Sequence, residues 1–273
     1  MFDLKDKTAL ITGGCGLLGV KHAEAILEFG GKVILADVVS VDEGSWIVDE
    51  LERKYNTHSE WITDRVRFEW MDVTNEASIQ KTIDKYNKID ILINNAAIDP
   101  KVEDGMGWKN KFEHLELESW NKTIDVILNG TFLCSKLVIK KMLGPHPVTE
   151  YCTQGGVILN IASDLSIISP DQRIYDDGVK PASYGVAKAG VVNLTKYLAT
   201  YLAKKNIRVN SLSPAGVYNN QSDKFVSKFS NLIPMNRMAE PDEYKGAVVF
   251  MCTDASSFMT GHNLVIDGGR TIW

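Results

Sequence analysis

The chain has 273 residues, 44% of them hydrophobic and 24% charged, with a net charge of -5. This is the composition of a soluble globular protein with ample core, and it offers no basic footprint for nucleic acid or an anionic membrane. No apolar run approaches bilayer length, and residues 1–7 lack the apolar core of a secretion signal, so a cytoplasmic protein is expected.

Short apolar, β-branched runs alternate with amphipathic stretches almost to the end. Strands are predicted at 8–12, 32–36, 66–70, 90–93, 157–161, 208–212 and 263–266, and helices near 18–29, 44–55, 77–87, 120–143, 182–204 and 242–253. Near-continuous runs such as Val33-Ile34-Leu35-Ala36 indicate strands buried on both faces. Regular β-α-β alternation without repeats or linkers predicts one α/β domain with a doubly wound parallel sheet of seven strands. Cys15, Cys134, Cys152 and Cys252 are scattered, with no Cys-x-x-Cys pair, and the five histidines do not cluster. No metal site is expected, and the cysteines read as small apolar residues of a reducing compartment.

The first strand runs into Thr12-Gly13-Gly14-Cys15-Gly16-Leu17-Leu18-Gly19. Glycines at 13, 16 and 19 permit a tight turn, close approach of backbone to a pyrophosphate, and close helix–strand packing. The helix that follows points unpaired N–H groups at the phosphates. Asp37 ends the second strand, 18 residues beyond Gly19. A carboxylate there accepts from both adenosine ribose hydroxyls and repels a 2′-phosphate, so NAD is expected rather than NADP. Asp72-Val73 and Asn94-Asn95-Ala96-Ala97 close the third and fourth strands, at the sheet edge where ligands of open α/β sheets bind. Asp72 is positioned either to accept from an adenine amino group or to cap the helix beginning near Glu76.

Residues 98–119 read as a long polar loop and one wall of a substrate pocket. The fifth strand delivers Ala162-Ser163 to the same edge, where the serine hydroxyl can bond a reacting oxygen. A second long polar loop, 164–182, leads to Ser183-Tyr184-Gly185-Val186-Ala187-Lys188. Tyr184 and Lys188 are four apart on a helix and share a face. An ammonium beside a phenol favours the phenolate and is expected to lower the tyrosine's pKa from about 10, preparing it for proton exchange near neutral pH.

Taken together these residues resemble the short-chain dehydrogenase/reductase family over nearly the whole chain. The resemblance is carried by the glycine turn, Asp72, Asn94-Asn95-Ala96, Ser163, Tyr184-x-x-x-Lys188, Arg208-Val209-Asn210 and Pro214. It continues through the run 234–243, Gly261 and Asp267-Gly268-Gly269. It implies a Rossmann-type three-layer α/β/α domain over 1–273 and hydride transfer between nicotinamide C4 and a secondary alcohol or ketone carbon. Tyr184 is then the general acid/base, Lys188 holds the nicotinamide ribose and tunes Tyr184, and Ser163 positions the substrate oxygen. Cofactor contacts are implied for Gly13, Cys15, Gly16, Leu17, Leu18 and Gly19 in the turn, for Asp37, Asp72 and Val73, and for Asn95, Ala96 and Ala97. Ile161, Tyr184, Lys188, Pro214, Val217 and Asn219 complete that set. Residues 218–232 are implied to form a mobile lid, and the apolar faces of the helices at 120–143 and 182–204 a homotetramer or homodimer.

Four positions depart from the family pattern. Leu17 stands where a glycine is common. Ile127 occupies the place of a helix Asn that supports a proton relay, with Asn129 two residues later. Ser163 and Tyr184 are 21 residues apart, a longer span than usual, yet Tyr175 at the customary spacing has Val179 instead of lysine at i+4. Ala215 and Asn219 replace a common glycine and threonine. The enlarged loops, with Lys101, Lys109, Gln172 and Arg173, suit a bulky, hydrogen-bonding, sugar-like or anionic substrate, and they are similar to those of oxidoreductases from bacterial surface-glycan pathways. Two other readings share the fold: a nucleotide-sugar epimerase or dehydratase, and a non-catalytic NAD-binding regulator.

Overall fold

The computed structural model describes residues 1–55, 65–99, 107–144, 155–176 and 178–273. Lys101 and Cys152, singled out above, lie outside the described residues. Seven strands form one sheet: β1 (Thr8–Thr12), β2 (Lys32–Asp37), β3 (Val66–Trp70), β4 (Ile91–Asn94), β5 (Gly156–Ile161), β6 (Ile207–Pro214) and β7 (Asn263–Ile266). Their order is β3-β2-β1-β4-β5-β6-β7, and all six neighbouring pairs are parallel. The chain winds outward from β1 in one direction and from β4 in the other. Between those two strands the connections part and leave a crevice at the carboxyl edge.

Alternation along the strands feeds two cores. Ile11, Leu35, Ile93 and Leu159 point to the side covered by α1 (Leu17–Glu28), α2 (Val41–Tyr55) and α8 (Lys245–Cys252). Leu10, Ile34, Leu92 and Ile158 point to the side of α3 (Glu76–Asp84), α5 (Gly130–Leu143) and α6 (Ala182–Leu202). Burial on both faces is why these strands read as continuous apolar runs. The result is the expected three-layer α/β/α arrangement.

Three elements differ from the sequence reading. The helix expected over 120–143 begins earlier, as α4 (Leu117–Ile124), and passes through one π turn (Asp125–Asn129) before continuing as α5. A π turn inserts an extra residue in the helical ladder and is often found at functional sites. The segment 218–232 contains a short helix, α7 (Asp223–Ser230), capped by Ser222, whose hydroxyl accepts from the Phe225 N–H at 3.3 Å. The stretch expected as helix over 242–253 opens with a 3₁₀ turn (Pro241–Tyr244) before α8.

Gly19 shows why the turn after β1 has its composition. A Cβ at Gly19 would land on the Gly13 carbonyl oxygen and come within 2.8 Å of Gly14 Cα. Both are backbone atoms and cannot swing aside. Gly19→Ala is therefore expected to cost on the order of 1–3 kcal/mol, read as a fall in melting temperature, together with loss of dinucleotide binding. A variant that melts with the parent would contradict this packing.

Candidate active site

The carboxyl ends of β1 to β6 open onto one cavity of about 1360 Å³. Its first wall is the glycine turn. Gly13 has φ of +59° and lies against β4, where a Cβ would come within 2.8 Å of Ala96 Cα. The clasp between these strands is specific. Thr12 Oγ1 accepts the N–H groups of both Asn95 and Ala96 at 3.0 Å, and Asn95 Nδ2 donates to the Thr12 and Gly13 carbonyls at 3.1 and 2.9 Å. Asn95 thus fixes the turn as well as facing the cavity.

Asp37 meets the expectation for a strand-ending carboxylate. Its Oδ2 accepts from the Cys15 N–H at 3.0 Å and its Oδ1 from the Val38 N–H at 2.7 Å, which holds the carboxylate on the cavity rim. Burial, followed by Asp37 and Glu43, pushes the Cys15 thiol up to about 12. Two acidic side chains therefore act on this end of the cavity. Asp72 also lines it, but its carboxylate accepts from the Thr74 N–H at 2.8 Å and the Thr74 hydroxyl at 2.7 Å. The cap of α3 is Asn75, whose Oδ1 accepts from the Ser78 N–H at 3.1 Å, so the helix-cap alternative for Asp72 is not realised.

Ser163, Tyr184 and Lys188 converge on the opposite wall. Lys188 is buried, and its ammonium donates to the Ile161 carbonyl at 2.6 Å, which ties α6 to the end of β5. It stands 5.8 Å from the Tyr184 ring centroid. The electrostatics differ from the sequence expectation. Burial drives the Tyr184 phenol upward, and the carboxylates of Asp99 and Asp164 push it the same way, against a hydrogen bond with Ser163. Burial likewise lowers Lys188, to about 8, with Asp99 opposing. Desolvation of both groups outweighs their mutual influence.

Behind the pair lies an apolar seal of Ile127, Ala162, Ala187 and Val191. Asn129 does not replace Ile127. It is exposed, and its Nδ2 donates to Asp125 Oδ1 at 2.7 Å across the π turn. Asp125 and Val126 of that turn reach the cavity, as does Leu117 at the start of α4.

Every residue expected to contact a cofactor borders the cavity except Gly19, whose role is packing. The expected substrate-binding side chains are corrected. Gln172 bonds the Lys180 backbone, Arg173 is exposed and paired with Asp171, and Lys109 sits over Trp108; none of the three lines the cavity. The cations that do line it beside Tyr184 and Ser163 include Lys180, ion-paired with Asp99 and 4.6 Å over the Tyr184 ring, and Arg270, ion-paired with Asp164. Asp164 directly follows Ser163 and Arg270 directly follows the Gly268-Gly269 pair, yet neither belongs to a motif that spacing alone identifies. Tyr175, Phe225 and Phe229 form an aromatic wall, with successive ring centroids at 5.9 and 5.7 Å.

Among the described residues no cluster of His, Cys, Asp or Glu is arranged to hold a metal, and no helix is long and apolar enough to cross a membrane. A family model described as Enoyl-(Acyl carrier protein) reductase matches residues 18–271. The NAD-dependent glycerol dehydrogenase of Listeria innocua is 31% identical over 99% of this chain and 96% of its own length. A short chain dehydrogenase from Leptospira borgpetersenii, solved with bound NAD+, superposes with a TM-score of 0.80 at 33% identity, covering 99% of this chain and 94% of that one. A gluconate 5-dehydrogenase from Burkholderia cenocepacia, solved with NADP and tartrate, does so with a TM-score of 0.82 at 25% identity, covering 99% and 97%. With the parallel sheet, the glycine turn and the Ser163–Tyr184–Lys188 cluster, these matches establish that the chain belongs to the short-chain dehydrogenase/reductase family.

Proposed function

We propose that the protein is an NAD-dependent oxidoreductase that interconverts a secondary alcohol and a ketone on a polar, polyhydroxylated substrate. The observation that carries this reading is the convergence of Ser163, Tyr184 and Lys188 on the cavity that the glycine turn opens. The residues present fit a dinucleotide: a turn with no Cβ at Gly13, free N–H groups at the start of α1, and Asp37 on the rim. A bound nicotinamide supplies the hydride acceptor or donor. Asp37 holds the adenosine ribose hydroxyls, and the acidic end formed with Glu43 disfavours a 2′-phosphate. Asn95 keeps the turn in place, and Lys188 holds the nicotinamide ribose.

At the reacting end, Tyr184 takes the alcohol proton during oxidation and returns it during reduction. Its raised phenol makes it a proton donor in the free protein, so a cation and ribose brought close are what convert it to a base. The ion pairs Asp99–Lys180 and Asp164–Arg270 flank the site with donors and acceptors of nearly balanced charge, which suits several hydroxyl groups better than a single strong anion. Helix α7 packs Phe225 and Phe229 toward Tyr175 and is tied across the opening by Lys224 and Lys228 on Asp176, as a lid over the substrate. Exposed Tyr197 and Tyr201 on α6 suit a homodimer or homotetramer.

The decisive experiment is a screen of NAD reduction against polyols, sugar derivatives and hydroxy acids, run beside NADP. Net NADH should accumulate with at least one polyol-type substrate. Turnover without net NADH would favour the epimerase reading instead. Tyr184→Phe is expected to abolish turnover and keep dinucleotide binding by fluorescence titration; persistent activity would remove Tyr184 from its role. The parent should prefer NAD by at least about tenfold, equivalent to about 1.4 kcal/mol, and Asp37→Ala should lose most of that margin. An NADP preference in the parent would overturn the Asp37 argument.

Lys188 also carries a stability signature. Its pKa falls from 10.5 to about 8 on burial, so the unfolded chain binds more protons between those values and stability rises with pH across that window. Below about pH 8 the buried charge weighs fully against the fold. Lys188→Met should therefore be inactive yet more stable than the parent at pH 7, by on the order of 1 kcal/mol or more, with the gap narrowing toward pH 10. Denaturant melts at pH 7, 9 and 10 read this directly, and a gap that widens with pH would contradict it.

A further inference from the structure

One side of the cavity is more apolar than a site for hydroxyl groups alone requires. Ile174, Phe229, Ile233 and Met238 form a buried cluster of their own, apart from the cores that flank the sheet. Tyr175 and Phe225 are partly buried against it, and with Phe229 and Met238 they border the cavity. This wall stands at the reacting end. Burial raises the Tyr175 phenol to about 12, and the charges that act on it are Asp99, Arg270 and Asp164. The same two carboxylates act on Tyr184. At the far end of the wall the Arg270 guanidinium lies 4.6 Å over the Phe229 ring.

The other side is polar and held in place. Gln172 accepts the Lys180 N–H at 2.9 Å and donates to the Lys180 carbonyl, fixing the backbone that carries the ammonium to Asp99 and the Tyr184 ring. We propose that the substrate is a cyclic polyol, whose hydroxyl-free ring face lies on the wall of Tyr175, Phe225 and Phe229 while its hydroxyl rim meets the Lys180–Asp99 and Arg270–Asp164 pairs. This deepens the function proposed above and rests on it.

An open-chain polyol carries hydroxyls on every side. Whichever way it lies, some of them lose water against the apolar wall and gain no partner there. Closing the chain into a saturated ring separates the two chemistries. Equatorial hydroxyls project around the rim, and only C–H groups remain on the faces. Those C–H groups are slightly positive and are attracted to the π clouds of aromatic rings. The closed ring also has fewer torsions to freeze on binding. Tyr175, Phe225 and Phe229 determine specificity in this scheme and take no part in proton transfer. The tyrosine at 175 has Val179 where Tyr184 has Lys188, which agrees with that division.

The full chain with NAD is assayed on myo-, scyllo- and D-chiro-inositol, on sorbitol, mannitol and galactitol, and on vicinal hexanediol. Inositols and hexitols have the same number of carbons and of hydroxyls and differ in ring closure. The best inositol is expected to exceed the best hexitol in kcat/KM by about tenfold or more, and to exceed hexanediol as well. A hexitol or hexanediol that equals it overturns the proposal. Phe225→Ala should bring the inositol-to-hexitol ratio toward unity, and Phe225→Tyr, which keeps the ring, should hold the parent ratio. A ratio unchanged in the alanine variant overturns the role of the wall; should that variant not fold, the parent ratio alone decides. Failure of the parent to reduce NAD with any alcohol would remove the function proposed above. Calorimetry of the same probes with NAD present would then decide this inference: inositols binding most tightly support it, and any other order, or no inositol binding, overturns it.

Discussion

Two backbone N–H groups, those of Asn95 and Ala96, meet on one hydroxyl, Thr12 Oγ1, and the rest of the site depends on that meeting. It joins the ends of β1 and β4, the strands between which the chain reverses its winding. Without it the glycine turn would have no fixed height above the sheet. The contribution of each such bond is modest, about 1 kcal/mol, but together with the two donated by Asn95 Nδ2 they replace solvent as partners for an edge that must stay open. A crevice can be polar and accessible only because its floor satisfies its own backbone groups.

The opposite wall follows a contrary logic. Tyr184 packs against the apolar neighbours Ile127, Ala162, Ala187 and Val191, and Lys188 is buried, with the Asp99 carboxylate acting against its desolvation without overcoming it. The fold tolerates a desolvated ammonium there because one carbonyl, that of Ile161, receives it. Ile127, 1% exposed, closes the rear of the site with an apolar side chain. Strain of this kind is concentrated where chemistry needs it, while the two flanking cores remain apolar and closely packed.

Much of this was legible in the sequence for physical reasons. Doubly buried strands such as Val33-Ile34-Leu35-Ala36 leave an unbroken apolar signature, and the glycine turn must be glycine wherever backbone touches backbone. Asp37, Ser163, Tyr184 and Lys188 reach the cavity as their spacing implies, because each is fixed by a strand end or by helical period. What spacing could not reveal are contacts between distant segments. Arg270 meets Asp164 across 106 positions, and Lys180 meets Asp99 across 81. The direction of the Tyr184 shift was also hidden, since the number of atoms around a side chain is a property of packing and not of its neighbours in sequence. Helix α7 was missed because its eight residues are too few to establish a clear period.

The π turn at Asp125–Asn129 sets where the first two turns of this helix point. A wide turn holds one residue more than a regular one without breaking the rod. Each residue of an α-helix advances the chain by about 100° around its axis. Deleting one residue there would let the rod close into a uniform spiral, and everything from Leu117 to Ile124 would rotate by roughly that angle relative to α5. Leu117, Glu118 and Asn121 would then leave the cavity that they now border. The wide turn thus faces two turns of helix to the binding crevice while the far end of the same rod keeps its seat against the sheet.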